Sequence, residues 1–121
     1  MSRSPSRKQV AAARRTERRG CAPVPPQLRQ AARLLERRWQ ILIIYAALSG
    51  AARFSEFAAA VEGISPRVLS ERLRELEQAG LIERSVLPSS PPAVEYRLTE
   101  QGRRLAPVIE AVLDYARRQA A

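Results

Sequence analysis

Residues 53–98 read RFSEFAAAVEGISPRVLSERLRELEQAGLIERSVLPSSPPAVEYRL, and this stretch decides the fold. From Arg53 to Val61, Phe54, Phe57, Ala58 and Val61 fall on one face of a short helix, and Gly63 then turns the chain. A second helix starts at once. Ser65 is its predicted N-cap, Pro66 takes the first helical position where a missing N–H costs nothing, and Gly80 stops it after Ala79. Leu81 to Val86 and Ala93 to Leu98 read as short strands, the latter with Val94, Tyr96 and Leu98 on one face and Ala93, Glu95 and Arg97 on the other. Pro88, Pro91 and Pro92 lie between them and supply no ladder donors, so that segment is a hairpin loop. The expected fold is mainly α with a small β-hairpin wing (α+β), a winged helix-turn-helix.

Upstream, Pro23, Pro25 and Pro26 punctuate the chain before Gln27 to Leu48, which reads as one helix or two. Its second half, Trp39 to Leu48, is apolar nearly all round and is expected at the centre of the fold, surrounded by other helices and ended by Ser49-Gly50. Downstream, Thr99 is expected to cap a single last helix reaching about Arg118. That helix carries an apolar stripe of Leu105, Val108, Ile109, Val112 and Leu113, with Arg117 and Arg118 suited to its C-terminal dipole. Two fates are open to the stripe: packing back on the helix from Gln27, or burial against a second copy. The homodimer is preferred, because helix-turn-helix proteins commonly read two half-sites as symmetric pairs.

A chain of 121 residues suits one compact domain, and an apolar share of 45% is too high for a disordered one. The net charge of +9 is unevenly placed. Seven basic residues (Arg3, Arg7, Lys8, Arg14, Arg15, Arg18, Arg19) and one acid, Glu17, fall within residues 1–20, so that segment reads as a basic, flexible arm before a domain at 21–121. The arm either follows a nucleic-acid backbone or is a solvated tail. With no histidine and Cys21 as the only cysteine, there is no His-based triad, Cys/His zinc cluster or intrachain disulfide. No catalytic residue, metal or cofactor is therefore expected, and an enzyme is a distant reading. No apolar run approaches the roughly 20 residues that span a bilayer, and the N-terminus lacks a secretory h-region, so the cytoplasm is expected and no membrane partner.

On a helical wheel Leu69, Leu73 and Leu76 fall together, while Arg67, Ser70, Glu71, Arg74 and Gln78 spread over the opposite face. Leucines on one side hold the helix to a core. The outward set matches a major groove: arginine forks fit guanine O6 and N7, and Ser70 serves base or phosphate. Glu71 either accepts from a cytosine amino group or pairs with Arg67 or Arg74. Free amides from Ser65 to Val68 suit a phosphate, Arg53 is a backbone-contact candidate, and Arg84, Ser89 and Ser90 are the candidates on the wing. The competing reading is a solvated face of i, i+4 ion pairs such as Arg67 with Glu71.

Taken in order, Arg53-Phe54-Ser55-Glu56, Gly63-Ile64-Ser65, Leu69-Ser70, Arg72-Leu73-Arg74-Glu75-Leu76-Glu77, Gly80-Leu81-Ile82-Glu83-Arg84, Pro91-Pro92, Val94-Glu95-Tyr96, Leu98-Thr99 and Gly102 resemble the HxlR family of bacterial winged helix-turn-helix regulators. The resemblance runs from Cys21 to about Tyr115. It implies a homodimeric transcription factor, more often repressor than activator, paired through N- and C-terminal helices on double-stranded operator DNA. Three departures stand out. Glu36-Arg37-Arg38-Trp39 replaces a frequent Gly-Gly-Lys-Trp turn, Ala51-Ala52 replaces Pro-Lys, and Ala93 replaces a basic residue after the wing's Pro-Pro. Arg38, Arg53 and the basic arm are the cations left to supply the phosphate contacts so lost. Some members that resemble this chain sense oxidants or electrophiles through an N-terminal cysteine, which makes Cys21 a redox-sensor candidate; Arg18 and Arg19 favour its thiolate. An inert loop cysteine is the other reading. A winged-helix adaptor that contacts only proteins remains the alternative function. The sequence names no small-molecule effector.

Overall fold

The computed structural model describes residues 20–120. The basic arm therefore lies outside the described residues. The chain divides into two compact units, one up to Arg33 and one from Leu34 onward. The element order is α1 (Pro26–Glu36), α2 (Gln40–Leu48), α3 (Phe54–Ala60), α4 (Pro66–Gln78), β1 (Ile82–Leu87), β2 (Ala93–Leu98), α5 (Glu100–Arg103) and α6 (Ala106–Ala120). The mainly helical architecture with a two-stranded antiparallel hairpin is the winged helix-turn-helix expected from sequence.

The segment from Gln27 to Leu48 resolves into two helices. With no glycine in this turn, Trp39 takes the left-handed conformation itself at φ 80°. A bulky residue there costs about 1–2 kcal/mol, so neighbouring contacts must hold it. The ring of Trp39 packs against the core. At the other end of α2, Ala51 N–H donates to Ala46 O (2.9 Å) and Gly50 N–H to Ala47 O (3.1 Å), a Schellman closure around Gly50 at φ 114°. Ala51 thus uses an amide that a proline at this position would lack. α4 ends in the same way, Leu81 N–H on Leu76 O and Gly80 N–H on Glu77 O, both 3.0 Å.

The core is built from Ile43 and Ile44 of α2, Phe57 of α3, Leu69, Leu73 and Leu76 of α4, and Ile82 of β1, all essentially inaccessible. Val61, Leu81 and Ile109 extend it. At ~25 cal/mol per Å² of apolar surface, these side chains dominate the stability of the second unit. The hairpin pairs Ile82 with Leu98, Arg84 with Tyr96 and Val86 with Val94. Its base is rooted by Tyr96 N–H on Ala52 O (2.8 Å) and by Phe57 meeting Tyr96 edge to face, ring centroids 6.2 Å apart.

Three expectations need correction. Ala58 is exposed rather than on the inner face of α3. α2 is not surrounded: Leu42 and Tyr45 are half exposed, because its neighbours cover only the side of Ile43, Ile44 and Ala46. The last helix is two. Thr99 Oγ1 accepts from Gly102 N–H (3.1 Å) and donates to Gly80 O (2.6 Å), but α5 ends at Arg103. Pro107 lacks the N–H that a continuous helix would send to Arg103 O, so the chain breaks at Arg104-Leu105 and restarts with Pro107 in the first turn of α6. The stripe of α6 is accordingly divided: Ile109 is buried, whereas Val108, Val112 and Tyr115, spaced i, i+4, i+7, are exposed.

Candidate nucleic-acid interface

α4 carries the candidate face, and its orientation follows from its leucines. With Leu69, Leu73 and Leu76 anchored, Arg67, Ser70, Arg74 and Gln78 stand exposed on the other side. Ser65 Oγ accepts from Val68 N–H (3.2 Å), fixing the start of the helix. The side chain of Arg67 is 88% exposed, with Nε 3.5 Å from Glu71 Oε1. Glu71 meets Arg72 Nη1 at 4.0 Å on its other side and does not pair with Arg74. Among the described residues Arg74 enters no ion pair, leaving its fork unengaged.

Arg53 is exposed at the N-cap of α3. Its backbone N–H and that of Ala52 both donate to Glu56 Oε1, at 2.9 and 2.8 Å. Those two bonds, chiefly the one from Ala52, hold the Glu56 carboxyl below the usual carboxylate range. The carboxylate thus spends itself on the helix start and leaves the Arg53 guanidinium outward. Arg84 is exposed on β1, Ser89 and Ser90 at the hairpin loop. Ser89 is partly committed, since its Oγ donates to Pro91 O at 2.6 Å. Cys21 is a free, exposed thiol in the first unit.

Sequence reasoning missed the arrangement that braces α4. Glu75 gathers four donors: Arg37 Nε (3.0 Å), Arg37 Nη2 (2.7 Å), Gln40 Nε2 (3.0 Å) and Arg72 Nη1 (3.1 Å). Arg72, nearly buried, also sends Nε to Arg38 O (3.1 Å). The Arg37 hydrogen bonds are the main reason the Glu75 carboxyl sits below its usual range and the Arg37 guanidinium above its own. Two side chains of the outward-reading helix thereby hold the α1–α2 turn. The sequence hint was a Glu at i+3 from an Arg on the flank of α4; its partners lie more than thirty residues away.

No group of three or more His, Cys, Asp or Glu among the described residues is placed to hold a metal ion, and no described helix is long and apolar enough to cross a membrane. The arrangement is a helix with one buried apolar face and one exposed polar face, followed by a hairpin.

Comparison with known proteins agrees with this geometry. The HTH-type transcriptional regulator YvaP of Bacillus subtilis (strain 168) is 44% identical over 91 residues, covering 75% of this chain and 84% of that protein. YodB of the same organism is 42% identical over 91 residues, covering 75% and 81%. The structure of the reduced form of the transcriptional regulator YodB superposes with a TM-score of 0.69 at 40% identity, over 78% of this chain and 92% of that one. The redox regulator HypR in its reduced form superposes with a TM-score of 0.72 at 32% identity, over 78% and 93%. The model of the HxlR-like helix-turn-helix family matches residues 34–121. The chain belongs to this family, whose named relatives are transcriptional regulators rather than enzymes.

Proposed function

We propose that this chain is a sequence-specific DNA-binding transcriptional regulator, a repressor, acting in the cytoplasm as a homodimer on double-stranded operators. The observation that carries this reading is the outward polar face of α4, where Arg67 is 88% exposed beside its partner Glu71 and Arg74 is exposed and enters no ion pair among the described residues. Ser65, Ser70 and Glu71 complete the reading face, Arg53 contacts a phosphate, and Arg84, Ser89 and Ser90 serve the wing. The bare stripe of Val108, Val112 and Tyr115 supports pairing, as does α1, which has no buried residue and exposes Leu28 and Leu35. A symmetric pair would set two copies of α4 about 34 Å apart on successive major grooves.

The test is selection of bound fragments from the source genome, followed by titration of a selected duplex at two salt concentrations. Binding must weaken steeply with salt, because neutralised phosphates release counterions. Arg67→Ala or Arg74→Ala should cost roughly 1–3 kcal/mol on the selected duplex and much less on random sequence. Equal losses on both duplexes would remove base readout, and a parent protein indifferent to DNA would leave the adaptor reading.

A second reading, response to oxidants or electrophiles through Cys21, is favoured by the exposed thiol and by similarity to structures described as diamide-treated YodB and oxidised HypR. Graded electrophile treatment with mass spectrometry tests it. DNA release should track modification or disulfide linkage of Cys21 and vanish in Cys21→Ser; release with an unmodified, unlinked thiol sinks it.

A further inference from the structure

The turn between α1 and α2 carries a cation that nothing in the described chain neutralises. Arg38 is exposed, and its guanidinium lies over the Trp39 ring, 4.6 Å from the centroid. Of the ion pairs among the described residues, none includes Arg38. The two carboxylates on this side of α4 are already matched, Glu75 by Arg37 and Arg72, Glu71 by Arg67 and Arg72. Its position is fixed from three sides. Arg72 holds the Arg38 carbonyl, Glu75 holds Arg37, and the Trp39 ring lies beside Gly63, where a Cβ would come within 3.7 Å of Cη2.

Helical geometry says where this puts the charge. Counting about 100° per residue from Arg67, Glu75 projects about 80° and Arg72 about 140° around α4, so the turn they hold runs along one flank of the exposed face. A helix with its side chains is ~10–12 Å across and the major groove ~12 Å wide, so the helix fills the groove and phosphates pass along its flanks. We propose that the α1–α2 turn is a second DNA-contacting element, in which Arg38, propped on Trp39, binds a backbone phosphate beside the groove that α4 enters. Glu75 acts as a positioning residue, holding the turn against α4 through Arg37 and Arg72. The inference rests on the reading of α4 as the DNA-reading helix and adds a sequence-independent contact to it.

The experiment is fluorescence anisotropy of full-length protein with the genome-selected duplex and a random-sequence duplex, across a salt series. Arg38→Ala should weaken both alike, by roughly tenfold, and make the slope of log affinity against log salt less steep by about 0.9. Arg38→Lys should restore the slope, since a point charge suffices for a phosphate. The side chain is exposed and Arg72 bonds the backbone carbonyl, so thermal melting of both variants should match the parent. If Arg38→Ala binds with unchanged affinity and slope while Arg67→Ala loses the selected duplex, the turn is not a contact and this inference falls alone. A parent that binds neither duplex overturns the reading of α4 and this inference with it.

Discussion

Phe57→Ala should lower the free energy of unfolding by about 3–5 kcal/mol, a large share of the 5–15 kcal/mol typical of a small domain. The ring is fully buried where α3, α4 and β2 meet, and its edge-to-face contact with Tyr96 joins the helix-turn-helix to the root of the hairpin. Truncation removes both the transfer energy of the ring and its packing partners, and a core built from several elements relaxes only partly into the space. Urea unfolding followed by far-ultraviolet circular dichroism measures the loss. A cost below ~1 kcal/mol would mean that α3 is not keyed into the core as described.

Glu75→Ala should destabilise the protein by about 2–3 kcal/mol near neutral pH. Removing an acceptor from a buried ion pair costs ~3–5 kcal/mol, and the figure is reduced here because Glu75 retains about a third of its side-chain exposure and solvent takes over part of the loss. The main penalty falls on Arg72, 10% exposed, which is left with the Arg38 carbonyl and the longer contact to Glu71 at 4.0 Å. The effect depends on pH in a fixed sense. The Glu75 carboxyl is held low in the folded state, first by Arg37 and then by the charge of Arg72 against the opposing pull of burial. In the unfolded chain it titrates near its ordinary value of ~4.3, so its stabilisation is complete above that value and fades as the pH falls toward the lower folded one. Parent and variant should therefore converge in stability as the solution is acidified below about pH 4, while Glu56, held low by the amides of Ala52 and Arg53, keeps some acid sensitivity in both. Curves that stay parallel would remove the charge of Glu75 from the account.

What could be read from sequence was what local rules determine. The Ser65 cap, Pro66 at the first turn, the Gly80 stop, the Leu69-Leu73-Leu76 face and the proline-split hairpin each follow from residues within one or two turns of one another, and all stand as expected. The break before α6 has a local sign as well, the amide that Pro107 lacks, but the apolar stripe runs straight across it and by itself points to one helix. The half-exposed flank of α2 was not legible, because apolar residues all around a helix look the same whether its cover comes from this chain or another. Nor was the grip of Glu75 on Arg37 and Gln40, whose partners are distant in sequence and individually unremarkable. For the candidate interface, the outward set on α4 came from periodicity alone, whereas the sequence offered Arg38 only as one of several spare cations and its place beside α4 comes from the side chain that holds its backbone.

The prolines of the hairpin loop have a further bearing on how the protein behaves in a crowded solution. A two-stranded hairpin has two outer edges, and with Val86 exposed toward its tip such edges are a template for strand addition by another chain. Pro88, Pro91 and Pro92 withhold three amides at the tip of the hairpin, beyond the last pair of Leu87 with Ala93, and Tyr96 N–H nearer the base is already taken by Ala52 O. The end of the hairpin thus offers few free amides for edge-to-edge aggregation.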